Sequence, residues 1–127
     1  MGLQERLEHE AQSRPKGVVT MDQLLAALAA AKVPVTNPAQ HAGFTFGAAY
    51  CKGAVLGKDL GFSVCEYNSP AEAEKWRVTN DKAFQAIKGR KSVVNQSSVL
   101  MLRVGAPGPE SDRLEKLLLD SFGKLKP

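Results

Sequence analysis

Between Ala48 and Tyr67 the chain reads AAYCKGAVLGKDLGFSVCEY, two strand-like runs on either side of Gly57, Lys58 and Asp59. Phe62 and Val64 alternate with Ser63 and Cys65, and Phe44, Phe46, Ala48 and Tyr50 alternate with smaller or polar residues. A period of two marks half-buried strands, and a short glycine-containing linker between two such runs predicts a β-hairpin. With a three-residue linker Leu56 faces Leu60, and counting back one residue at a time on each strand brings Cys51 opposite Cys65. Facing Cβ atoms lie ~4.5–5.5 Å apart, against ~3.8 Å in a disulfide, so a bond there asks for modest local adjustment. An even-length linker would slip the register by one and separate the thiols onto opposite faces.

Four readings of the two cysteines follow. A structural disulfide needs facing positions, which this register supplies, and an oxidising compartment. Two reduced cysteines buried as small hydrophobes stand beside it. A metal site would draw on His41, Cys51 and Cys65, one ligand short of the four that zinc takes. A catalytic pair would join His41 to one thiol, yet nothing nearby marks the electropositive setting such a thiol requires. The disulfide is the reading carried forward.

Outside the hairpin, helix signals dominate. Leu3, Leu7 and Ala11 recur at helical spacing and predict a short helix over residues 3–12, marginal alone, within a weakly structured segment, residues 1–17, that SRPKG closes. Thr20 and Gln23 form a capping box for a helix of about three turns that buries Leu24, Leu25, Leu28 and Ala31 and ends near Lys32. VPVTNPAQHAG, with two prolines, reads as a loop or a short edge segment. Ser69, Pro70 and Glu72 start a helix predicted over 70–88, with Ala73, Trp76, Ala83, Phe84 and Ile87 as its buried stripe, Asn80 interrupting it and Gly89 ending it. KSVVNQSSVLMLRVG reads as a second hairpin whose near-continuous apolar strand, Val99–Val104, suits a central position. A last helix runs from about Glu110 to Phe122 and buries Leu114, Leu117, Leu118 and Phe122.

The expected fold is α+β, one domain of 127 residues with an antiparallel sheet of about four strands and N-terminal helices packed on it. Its order is hairpin, helix, hairpin, helix. Both faces of the first hairpin are partly apolar, so the C-terminal helices are expected on one face and the Thr20 helix on the other.

At 43% hydrophobic and 24% charged residues, the chain has the composition of an ordinary globular protein. No apolar run approaches the ~20 residues needed to cross a bilayer. The start, MGLQERLEHEAQSRP, shows no apolar signal core and no cleavage site, and Arg6 stands where a myristoylation pattern has Ser or Thr. Either a cytoplasmic protein or one whose targeting segment was replaced by Met1-Gly2 fits that start.

The net charge of +4 is unevenly placed. Lys75, Arg77, Lys82, Lys88, Arg90 and Lys91 face Asp81 alone within their span, a candidate contact for phosphate or an acidic partner. The alternative is a solvated helix face followed by a loop. For catalysis, His9 and His41 are the sole neutral-pH acid/base candidates and neither has a recognisable partner. Without a phosphate loop, a CxxC or a HExxH motif, no catalytic residue and no cofactor is expected.

LGFSVCEYNSPAEAEKW resembles the third strand and second helix of the RNA-recognition motif, with Gly61, Phe62 and Tyr67 on matching positions. Leu60 stands where that family has a base and Val64 where it has its central stacking aromatic, and NPAQHAG is too short for its first helix. The resemblance implies single-stranded nucleic-acid binding through Phe62, Tyr67 and the basic span. Two expectations of function result. The first is a non-catalytic binding or assembly module of a bacterial cell envelope or periplasm, such as the soluble domain of a lipoprotein, acting on a protein or envelope partner. The second is a cytoplasmic nucleic-acid-binding domain.

Overall fold

The structure is a computed structural model that describes residues 2–127. The chain runs α1 (Leu3–Gln12), α2 (Met21–Ala30), β1 (Val35–His41), a 3₁₀ turn (Gly43–Phe46), β2 (Tyr50–Leu56), β3 (Leu60–Glu66), α3 (Pro70–Ala83), β4 (Arg90–Asn95), β5 (Ser98–Val104) and α4 (Pro109–Gly123). Five antiparallel strands form one sheet in the order β1-β2-β3-β5-β4.

The helix starts follow from local chemistry. Thr20 Oγ1 accepts from the Gln23 N–H at 3.2 Å while Gln23 Oε1 accepts from the Thr20 N–H at 2.9 Å, closing the capping box of α2. Ser69 Oγ accepts from the Glu72 N–H at 3.1 Å ahead of Pro70 at the start of α3.

Four features depart from the sequence reading. The fifth strand is β1, which the two prolines had reduced to a loop or short edge segment. It lies at the sheet's edge, where Pro38 interrupts no central ladder, and its register shifts between Thr36 and Ala39 around Asn37, at φ 55°. The alternating residues Phe44 and Phe46 belong to the 3₁₀ turn, and β2 begins at Tyr50. There the Glu10 carboxylate accepts from the Gly43 and Phe44 N–H groups at 2.8 and 3.1 Å, while Tyr67 Oη and Asn80 Nδ2 donate to the Phe46 carbonyl at 2.8 and 3.0 Å. Side chains thus satisfy backbone groups that a strand would have given to a ladder.

The same contacts explain α1. Leu3 is 61% exposed, so the apolar stripe does not hold this helix; the buried Glu10 does, with Gln40 Nε2 donating to the Leu7 carbonyl at 2.7 Å. The short helix that the spacing of Leu3, Leu7 and Ala11 predicts over 3–12 is α1.

The third departure is the layering. Register puts Ala54, Leu56, Leu60, Phe62, Val64, Leu100 and Leu102 on one sheet face, and this face packs on both α2 (Met21, Leu24, Leu28) and α4 (Leu114, Leu118, Phe122). The Thr20 helix and the last helix share a face rather than taking opposite ones. The opposite face carries α3, with Ala73 and Trp76 packed among Cys51, Cys65, Val99 and Met101. Periodicity tells which side of a helix is apolar but not which side of the sheet receives it.

Last, α3 ends at Ala83 rather than near 88, and Ala83 is exposed. By Gly89 the chain has reached the sheet, where its carbonyl accepts from the Val104 N–H at 3.0 Å, so residues 84–88 leave the helix to cross to β4.

Candidate functional site

The three-residue linker Gly57–Asp59 forms as expected, and Leu56–Leu60 and Cys51–Cys65 are facing pairs. Cys51 and Cys65 are disulfide-bonded with their Cα atoms 4.1 Å apart, the close approach of a narrow antiparallel pair, and both are fully buried. Both sulfurs are taken up by that bond, so the metal reading of His41, Cys51 and Cys65 loses its thiolates, as does a Cys–His nucleophile. Among the described residues no group of three or more His, Cys, Asp or Glu is placed to hold a metal ion.

On the disulfide's face the register stacks three rows across the sheet. The row under α3 runs His41, Cys51, Cys65, Val99, Val94; the next runs Ala39, Gly53, Ser63, Met101, Ser92; the outermost runs Thr36, Val55, Gly61, Arg103, Arg90. Because α3 covers the first row and then stops, the outer rows are left with an open groove of about 370 Å³. This falls within the ~300–1,000 Å³ typical of small-molecule sites.

Small residues make the floor. A Cβ added to Gly53 would sit 3.0 Å from the Phe62 carbonyl oxygen, 3.2 Å from Ser63 Cβ and 3.5 Å from His41 Cδ2, while a Cβ on Gly61 would meet nothing within 4 Å and would point into open space. Aromatic rings make the walls. His41 meets Phe46 edge-on at 5.7 Å, Phe46 meets Phe84 at 5.7 Å, and Arg90 lies 5.4 Å over Phe84. Ile87, 39% exposed, adds an apolar rim.

The wall is held in place from behind. The doubly accepted Phe46 carbonyl anchors one side, and burial pushes the Tyr67 phenol up to about 12 against the opposing effects of Asn80 and Arg90, so it stays a donor. On the other side Asp81 accepts from Arg90 Nη1 at 2.7 Å, Arg77 Nη1 at 2.9 Å and Ser92 Oγ at 2.5 Å. Burial works to raise the Asp81 carboxyl, but those hydrogen bonds and the two guanidinium charges prevail and hold it below the usual carboxylate range. For His41, burial lowers the imidazole below its ordinary value, and the Glu10 charge opposes this.

The basic span is less free than its sequence suggests. Arg77 pairs with Glu74 and Asp81, Arg90 with Asp81, and Lys91 with Glu115 of α4. Lys75 lies 5.5 Å over the Trp76 ring, and Lys82 and Lys88 are exposed. Glu74 lies one residue outside the span and Glu115 far beyond it, so counting charges between 75 and 91 missed both. Phe62 and Tyr67 are 5% and 1% exposed, the first facing the α2–α4 core and the second bonded to Phe46, so neither offers a ring face to a base. The sequence reading named Gly61 for another role and Phe46, Phe84 and Ile87 as strand or core residues, and left Gly53 and Arg103 unassigned; it brought none of them to a groove. The hairpin register already placed both glycines on the cysteine face; what it lacked was where α3 would end.

Comparison of the chain with protein-family models, with curated proteins and with solved structures finds no match. Among the described residues no helix is long and apolar enough to cross a membrane.

Proposed function

We propose that this chain is a non-catalytic binding module of an oxidising, extracytoplasmic compartment, such as a bacterial envelope or periplasm, and that it binds through the groove left open beside α3. The observation that carries this reading is the groove itself, in which Gly53 and Gly61 keep part of the floor low, beside Ser63 and Met101, between apolar walls. Gly costs more conformational entropy in a strand than other residues, and its use there often marks close approach by another group. The buried disulfide supports the compartment, since such bonds persist where the surroundings are oxidising. Nothing in the groove is arranged as a nucleophile with its base.

Binding of a neutral apolar dye, read by its fluorescence, tests the proposal against Gly61→Leu. This substitution fills the floor from a position where an added Cβ meets no atom within 4 Å. Dye binding by the native chain and its loss in Gly61→Leu, at a melting temperature no lower than the native one, are the expected results. Equal binding by both proteins would remove the groove as the site.

A further inference from the structure

The groove has two unlike ends. Arg90 and Arg103 are register partners on β4 and β5 and share the groove face. Like charges directly opposite across strands repel. Asp81 answers Arg90, whose side chain is 11% exposed. Arg103 is exposed and forms no ion pair among the described residues. At the other end Phe46 and the ring of His41 close the groove with apolar surface. From β1 to β4 the groove crosses four strand spacings, roughly 19 Å at ~4.8 Å each, so it is elongated across the strands.

Taking the groove to be the binding site, we propose that its ligand is an anionic amphiphile: an unbranched acyl chain lying over Gly61 and Gly53 toward Phe46, with a carboxylate or similar acidic head on Arg103 beside Arg90. The head compensates the charge of Arg103, which Asp81 leaves unanswered, and gains charge-assisted hydrogen bonds, for which Arg is well shaped. The chain lies against the rings and over a floor kept low by Gly53 and Gly61, with Ser63 and Met101 beside them. A cationic amphiphile would set a second positive charge against Arg103. A neutral one would leave the Arg pair as it is.

The experiment compares dodecanoate, dodecanol and dodecyltrimethylammonium, each below its micelle concentration, as competitors of the bound dye. Dodecanoate is expected to bind about tenfold more tightly than the other two, Arg103→Glu to abolish that preference while dodecanol binding is unchanged, and Arg103→Lys to keep most of it. Arg103 is exposed, so neither variant disturbs the core. If dodecanol binds in a Gly61-dependent way and dodecanoate no better, the anionic ligand is wrong while the groove stands. If an acidic peptide such as hexaglutamate binds more tightly than dodecanoate and depends on Arg103, the occupant is a peptide and the proposal falls. Competition that is the same in Gly61→Leu as in the native chain would overturn the groove and the ligand together.

Discussion

Glu66 is a fully buried carboxylate at the end of β3, and Arg14 meets it at two points, Nη2 at 2.6 Å and Nε at 3.2 Å. The same guanidinium lies 4.0 Å over the Tyr50 ring. Truncating one partner of a buried pair leaves the other charge without compensation, so Arg14→Gln is expected to lower stability in urea by ~3–5 kcal/mol. Adding Glu66→Gln should recover part of that loss; a double variant as unstable as the sum of the two singles would show that the pair is not coupled. His41 gives a second expectation. The unfolded imidazole titrates near ~6.5 and the folded one below that, so between the two values the unfolded chain holds more protons. Stability should therefore fall as pH drops from about 6.5 and level off below the folded pKa, with no contribution from His41 above that window. Melting temperatures of the native chain and His41→Gln, compared at pH 7.5 and 5.5, should diverge at the acid end; parallel curves would contradict the shift. Neither site was legible in the sequence. Arg14 and Glu66 are 52 positions apart, and a single polar contact of that span leaves no periodic trace.

Among the elements, the β2–β3 hairpin was the most legible, because loop length alone sets its register and hence the facing of the cysteines. The disulfide joins residues 14 apart, so the chain-entropy model assigns it only ~3 kcal/mol. Reduction should shift the urea midpoint down while leaving a folded protein, and protein taken from its own compartment should show no titratable thiol in denaturant without reductant. Two thiols in that assay would remove both the native bond and the compartment argument. The 3₁₀ turn was illegible for the opposite reason. Phe44 and Phe46 carry a strand pattern, but their backbone groups are claimed by Glu10, Tyr67 and Asn80, which lie on α1, just after β3 and on α3. A local period cannot report a distant donor.

For the whole molecule, the α+β class and antiparallel sheet were legible from element order, whereas the sharing of one face by α2 and α4 was not. That sharing decides what Phe62 does. It sits in the core between those helices, so Phe62→Ala is expected to cost ~3–5 kcal/mol of folding stability, measured by urea denaturation. A salt-sensitive complex with single-stranded nucleic acid that weakens in Phe62→Ala, with stability unchanged, would assign the ring to binding instead. Leaving α3 alone on the other face also explains why a groove exists at all: a single helix, about 10–12 Å across, covers the row of Cys51 and Cys65 and leaves the rows of Gly53 and Gly61 open.

The strand order also sets a timetable. β3 pairs with β2 on one side and with β5 on the other, and β5 follows about 30 residues after β3 ends. Delivered in order at ~5–20 residues per second, a chain spends roughly 2–6 s with its first hairpin complete and the far edge of β3 bare. A hairpin closes in ~1–10 μs, so even a marginally stable one brings Cys51 and Cys65 together many times during that interval, within reach of an oxidant. The bare edge of LGFSVCE is for those seconds the most adhesive part of the nascent chain, until β5 arrives and covers it.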